Sequence, residues 1–195
     1  MNWNDLAREV HQTAVANGLW DKPRTFDDII CECLVHPGRA YEEYRSGRPN
    51  YYHLCQPSGE EEHPCEWDLQ KPCPLSTGEL ACEHRDRQPH GAAAELGKCV
   101  LRLLDFAAQM GLDVEVVSVY ADADFSSFSC SVSWQLVCIH QAVNVSNNLV
   151  KGHINHVINL VLSWAAREGL DLESILQGLH ECEKARAGRR GGTEP

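Results

Sequence analysis

Between positions 55 and 84 the chain carries Cys55, His63, Cys65, Cys73, Cys82 and His84, six groups of the kind that hold a metal. Thiolate sulfur and imidazole nitrogen are donors that zinc takes, and four of them close a tetrahedral structural site. The spacing lacks the tight Cys-x-x-Cys pairs of zinc knuckles, so the same residues also read as free thiols in a loop. On the metal reading the zinc candidates are Cys55, Cys65, Cys73 and Cys82. A second soft-donor group is Cys138 with His153 and His156, the two histidines three apart and therefore on one helix face. No fourth ligand accompanies it, and its plainer reading is a set of polar residues at a seam. A third cluster is basic, Lys184, Arg186, Arg189 and Arg190. At a helix end such cations favour the negative pole of the dipole without any ligand.

The elements that must position these groups are helical. Asn4 to Asn17 spaces Leu6, Val10 and Ala14 at helical intervals and stops at Gly18. Thr25, followed by Asp27 and Asp28, reads as the cap of a helix from about Phe26 to Arg45. Pro37-Gly38 in its middle is expected to kink or split it. Residues 49–89 have no period and are rich in Pro, Gly, Glu, His and Cys, so they form an irregular insertion of a length that is usually functional or poorly ordered. A helix near 92–110 follows, with Val100, Leu103, Leu104 and Ala107 as core. Val114 to Tyr120 has strand-like composition but is read as a further helix of the same motif. Helices are expected at 131–145, 149–168 and 172–187, the second of these with Val157, Leu160, Val161 and Trp164 as core, and a loose Gly-Gly tail closes the chain. The stretch from His90 to Asp113 returns, without a gap, from His153 to Asp171, both running into Gly-Leu-Asp. The expectation is an all-α bundle built twice from one helical unit.

Bulk properties bound what such a bundle can do. A chain of 195 residues buries a sizeable core, as one domain or two intertwined halves. A net charge of -11 argues against a nucleic-acid or anionic membrane surface as its main partner. The polar N-terminus has no apolar signal core, and no apolar run approaches the roughly 20 residues of a spanning helix. The expected location is the cytoplasm. There the ten cysteines are free thiols or metal ligands rather than a disulfide framework. Cys31, Cys33, Cys99, Cys130 and Cys138 fall in apolar helical patterns and are expected to pack as small hydrophobes.

Several segments in order resemble one family. Val10-His11, Gly18-Leu-Trp20, Arg24-Thr-Phe26 and the stretch from Ala40 to Pro49 are similar to the opening of MazG-like proteins, all-α nucleoside triphosphate pyrophosphohydrolases. Ala94 to Lys98 and Leu101 to Phe106 look like the second core helix of that family. Leu179 to Gly192 resembles its C-terminal Lys-x-x-x-Asn-x-x-Arg tail and basic Gly-Gly ending. The resemblance covers most of the chain except the 49–89 insertion and the 114–130 link. It implies a Glu-x-x-Glu pair and a Glu-x-x-Asp pair on neighbouring helices. These hold magnesium, which bridges substrate phosphates and activates a water that releases pyrophosphate. It also implies phosphate contact by Lys184, Arg186, Arg189 and Arg190.

This chain departs from the pattern at the residues that matter. The Glu-x-x-Glu positions hold His36 and Arg39, and the Glu-x-x-Asp positions hold Glu95 and Lys98. In the second repeat the matching places are Gln135, Cys138, His153 and His156. The tail has Leu179 in place of Lys and Glu183 in place of Asn. Four carboxylates carry about -4, whereas His36, Arg39, Glu95 and Lys98 carry about +1 with His neutral, and a dication there would meet fixed positive charge at a cost of several kcal/mol. If any magnesium binds, Glu95 is its one surviving ligand.

The expectation is therefore two repeats packed as an intramolecular pseudo-dimer: residues 1–113, a link at 114–130, and a shorter repeat at 131–195. Metal binding has been lost, an Arg39–Glu95 ion pair stands in the metal's place, and the protein is a nucleotide- or phosphate-binding or scaffold protein with weak or no hydrolysis. Two rivals stand beside it. One is an active magnesium-dependent pyrophosphohydrolase drawing on Glu42, Glu43, Glu95 and Asp105. The other is a zinc-stabilised interaction module built on the Cys-rich loop. Neither nucleic acid nor membrane is expected as a partner, and a homodimer is allowed.

Overall fold

The computed structural model describes residues 1–48, 50–55, 63–65, 89–116 and 150–190. Their order is α1 (Trp3–Ala16), α2 (Phe26–Arg45), a hairpin of β1 (His53–Cys55) and β2 (His63–Cys65), α3 (Ala92–Gln109), α4 (Val150–Arg167) and α5 (Leu172–Arg190). The class is all-α: apart from the six-residue hairpin, every regular element among the described residues is a helix. None of these helices is long and apolar enough to cross a membrane.

Local sequence explains most of the boundaries. Asn2 caps α1 by accepting from the N–H groups of Asn4 and Asp5. Thr25 and Asp28 form a reciprocal capping box at the start of α2. The ends of α1, α3 and α4 share one device. Gly18, Gly111 and Gly169 adopt positive φ, and the N–H of the following leucine returns to a carbonyl of the last turn at 2.8–3.0 Å. α3 and α4 are both 18 residues long and end in this way, but α1 uses the same stop, so the shared ending follows from helix termination alone. Pro37 does not split α2, which runs unbroken through it. An interior proline costs roughly 3 kcal/mol; here Ile29, Ile30, Cys33 and Ala40 bury both flanks of α2, and that packing offsets the cost. Val114–Val116 are not helical: the Asn4 side chain brackets Val114, donating to its carbonyl and accepting from its N–H, which fixes an extended exit from α3. Residues 117–149, including the helix expected at 131–145, lie outside the described residues.

α3 is the central element. It packs on each of the other four helices, and its Ala92, Ala93, Ala94, Leu96, Val100, Leu101, Leu104 and Ala107 are all buried. Val157, Val161 and Trp164 of α4 are buried as the apolar stripe requires, while Leu160 is half-buried. Cys33 and Cys99 pack as small hydrophobes, and a hydrogen bond with Cys33, together with burial, pushes the Cys99 thiol up. Cys31 departs from expectation: it is exposed, one position off the buried stripe of α2. Cys130 and Cys138 lie outside the described residues.

Gly97 of α3 faces α5 with no room for a side chain. A Cβ there would lie 2.6 Å from Leu179 Cδ1 and 3.5 Å from Ile175 Cγ2. Gly97→Ala gains about 1 kcal/mol of helix propensity but forces a buried leucine off its position, an overpacking cost of about 1–3 kcal/mol. The expected result is a net loss of about 1 kcal/mol in urea denaturation. An increase in stability would show that α5 can move outward freely.

Candidate functional site

Glu95 lies in the first turn of α3, buried, with both carboxylate oxygens occupied. His36 Nδ1, from α2, is 2.9 Å from Oε2. An ionised carboxylate only accepts, so Nδ1 carries the hydrogen. Lys98, one turn further along α3, donates to Oε1 at 2.6 Å. Burial works to raise the Glu95 carboxyl, but the hydrogen bonds from His36 and Lys98 and the lysine charge together outweigh it and hold the group down at about 2. Arg39 is exposed and makes no hydrogen bond or ion pair with Glu95. The expected Arg39–Glu95 pair is thus replaced by a His36–Glu95–Lys98 bridge: a local i, i+3 lysine and a facing imidazole reach the carboxylate first.

His36, Arg39, Lys98 and Arg102 line a pocket of about 160 Å³, which Pro89, Leu179, Cys182 and Glu183 complete. Arg102 crosses it to pair with Glu183 of α5 at 3.1 Å. The positions that the family resemblance assigns to metal and phosphate contact therefore meet in space: His36, Arg39, Lys98, Leu179 and Glu183 surround one cavity, with Glu95 against its wall. Their chemistry does not fit magnesium. Glu95 is already engaged by His36 and Lys98, and Glu183 by Arg102, so neither carboxylate is free to a cation, whereas Mg²⁺ requires an octahedron of hard oxygens. An anion suits them better. The cavity is below the roughly 300–1,000 Å³ of pockets that engulf a whole small molecule, so it has room for a phosphate-sized group rather than an entire nucleotide.

The rival carboxylate set does not converge. Glu95 and Asp105 are ten residues apart on one helix, about 15 Å along its axis. Asp105 is itself buried and committed, accepting from Trp20 Nε1 at 2.9 Å and lying 2.7 Å from His11 Nδ1. Burial raises the Asp105 carboxyl against the lowering effect of these two partners. The cluster ties α1 and the turn after it to α3. Glu43 accepts from the Tyr52 hydroxyl at 3.0 Å and sits 3.6 Å from Arg48, and Glu42 is exposed. Among the side chains described, no group of three or more His, Cys, Asp or Glu stands where it could hold a metal.

The basic tail divides. Leu179, Cys182 and Glu183 present one face of α5 to the pocket. Lys184 is on a neighbouring face, 2.8 Å from Glu181 and 3.9 Å from Glu9. It is therefore engaged by carboxylates away from Glu95, and the phosphate role expected of it is not supported by its position. Arg186, Arg189 and Arg190 continue α5, which reaches Arg190 rather than ending near 187; their side chains lie outside those described. So do Gln135, Cys138, Cys73, Cys82, His84 and the side chain of His153, while His156 is exposed.

Sequence reasoning missed two contributors. Arg102 had no motif to mark it, and only the fold brings it to Glu183. Tyr52 is buried, its backbone pairs with His90 at 2.8 and 3.1 Å, and its ring stacks on that imidazole. Asn50 also accepts from the Ala93 N–H at 2.8 Å. The irregular insertion therefore leaves and rejoins the bundle at neighbouring points, beside the first turn of α3 and the pocket wall. Burial, and then the Lys98 charge, push the His90 imidazole below its ordinary range. Comparisons of the chain with protein-family models, with curated proteins and with solved structures find no match.

Proposed function

We propose that this chain is a degenerate MazG-like protein, in which two helical repeats form an intramolecular pseudo-dimer and the former metal site has become an anion pocket. It binds the phosphate end of a nucleotide, or a free phosphate, and does not hydrolyse it. The observation that carries this reading is the closed His36–Glu95–Lys98 bridge beside Arg39 and Arg102. Charge neutralisation within the protein has taken over the role of a bridging cation. Lys98 and Arg102 each already face a carboxylate. Arg39 has no such partner among the described residues and is the cation most available to an incoming phosphate, where a guanidinium can form two parallel hydrogen bonds.

The test has two parts. Pyrophosphate release from a panel of nucleoside triphosphates with Mg²⁺ or Mn²⁺ is expected to stay at the level of the blank. Turnover abolished by Glu95→Gln would overturn the reading and return the chain to the hydrolases. Calorimetric titration of the same nucleotides is expected to show binding that Arg39→Ala weakens about tenfold, or 1.4 kcal/mol. Arg39 is exposed, so its replacement leaves the helices intact. Binding that is indifferent to Arg39 would place the ligand elsewhere.

A further inference from the structure

On the face of α5 that neighbours the anion pocket, His180, Glu181 and Lys184 meet Asp5, Leu6 and Glu9 of α1 across a groove of about 500 Å³. Pockets that engulf a small molecule hold roughly 300–1,000 Å³. Leu6 and His180 are buried at its floor, and Asp5, Glu9, Glu181 and Lys184 are exposed at its rim. The fold fixes the tautomer of His180. Its Nε2 lies 3.0 Å from Thr13 Oγ1. The Thr13 hydroxyl has one hydrogen, which it donates to the Glu9 carbonyl at 3.1 Å. Nε2 therefore carries a hydrogen and donates to Oγ1. Burial, and then the Lys184 charge, outweigh the carboxylates of Glu181, Glu9 and Glu183 and push the imidazole below its ordinary range, so the ring is neutral at pH 7. A neutral ring with hydrogen on Nε2 offers Nδ1 as an acceptor. Nδ1 has no partner among the described residues. It is not one of the enclosed partnerless atoms, which are Asn17 Oδ1, Arg24 Nη1 and Trp164 Nε1, so it is open to the groove that His180 lines.

The rim carboxylates are unequally engaged. Asp5 pairs with Arg8, and Glu181 with Lys184 at 2.8 Å. Glu9 faces the same lysine at 3.9 Å, beyond hydrogen-bond reach. The amino group of Met1, at one end of the groove, is taken by Glu173 at 3.0 Å. We propose that this groove binds a small protonated alkyl amine, its ammonium donating to His180 Nδ1 and Glu9 and its chain lying over Leu6. An ammonium has three donors and no acceptor, so it satisfies a neutral imidazole and a carboxylate together. An anion would find no donor at Nδ1 and would meet the rim carboxylates. The inference is independent of the proposed function, since none of these residues lines the anion pocket.

The experiment is calorimetric titration of the full-length chain at pH 7 with n-pentylamine, 1,5-diaminopentane and the uncharged 1-pentanol. Both amines are expected to saturate about one site per chain, and the alcohol to bind at least about tenfold more weakly. Glu9→Gln and His180→Gln should each weaken the amines about tenfold. Glutamine sets its amide near the position of Nε2, so the second variant keeps a donor for Thr13 and loses the Nδ1 acceptor. Lys184→Ala removes the cation that competes for Glu9 and Glu181 and should tighten amine binding. A purely structural role for these side chains would not produce opposite effects from Glu9→Gln and Lys184→Ala. Helical circular dichroism reports on the fold of each variant; if His180→Gln does not fold, the two exposed positions decide the matter. Absence of saturable amine binding, or equal binding of the alcohol, would overturn the proposal. Amine binding indifferent to Glu9→Gln and Lys184→Ala would also overturn it, by placing the ligand elsewhere.

Discussion

Glu95→Gln is expected to destabilise the protein by about 2–3 kcal/mol at pH 7, and the loss should fade as the pH falls. The substitution keeps the shape of the side chain and removes its charge, leaving His36 and Lys98 facing an amide in a buried setting. Removing one partner of a buried ion pair is costly because the remaining charge is left without compensation. The sign of the pH dependence follows from the depressed carboxyl. The folded-state value is about 2 against an ordinary 4.5, so the unfolded chain binds a proton that the native state does not. The stabilisation is fully present above pH 4.5 and is lost as the pH drops through 2. Urea denaturation of both proteins between pH 7 and pH 2.5 should show a gap that narrows steadily towards the acid end. For a chain of this length the neutral-pH gap corresponds to roughly 5–10 °C in Tm. A gap independent of pH would assign the loss to packing and remove the bridge from the account of the site.

How far the sequence foretold this site depends on distance along the chain. The cap at Thr25 and the glycine stops at Gly18, Gly111 and Gly169 are decided by neighbours within four residues, and they were legible. The apolar spacing of α3 named Val100, Leu103, Leu104 and Ala107 as core without further help. The Glu95–Lys98 contact was also local, an i, i+3 pair, and the expectation of Arg39 as the partner overlooked it. The rest needed tertiary information. His36 meets Glu95 across 59 positions, His11 meets Asp105 across 94, and Arg102 meets Glu183 across 81. No periodicity encodes such pairings, because they depend on the rotation of each helix about its own axis once it is packed.

If the pocket descends from a metal site as proposed, placing carboxylates at its substituted positions should create a response to magnesium. The combined variant His36→Glu, Arg39→Glu and Lys98→Asp turns the site from net positive to about -4, with Glu95 retained. Without a divalent ion the four carboxylates repel one another, and each close pair costs up to about 4 kcal/mol at an effective dielectric of 20. Protonation of one or two of them relieves part of this. The metal-free variant is therefore expected to be several kcal/mol less stable than the parent, the largest effect considered for this fold. Magnesium at a hundred times its dissociation constant would return about 2.7 kcal/mol, a rise of roughly 5–10 °C in Tm. The parent protein should show no such rise, since His36 and Lys98 already satisfy the carboxylate from within. Thermal denaturation with and without Mg²⁺ decides the matter in both proteins. A variant whose Tm ignores Mg²⁺ would mean that positions 36 and 39 do not face positions 95 and 98 as a common chelating surface, and the descent of this pocket from a metal site would fall with it. A variant that gains both the Tm response and pyrophosphate release would show that these three side chains alone separate an anion pocket from a hydrolytic one.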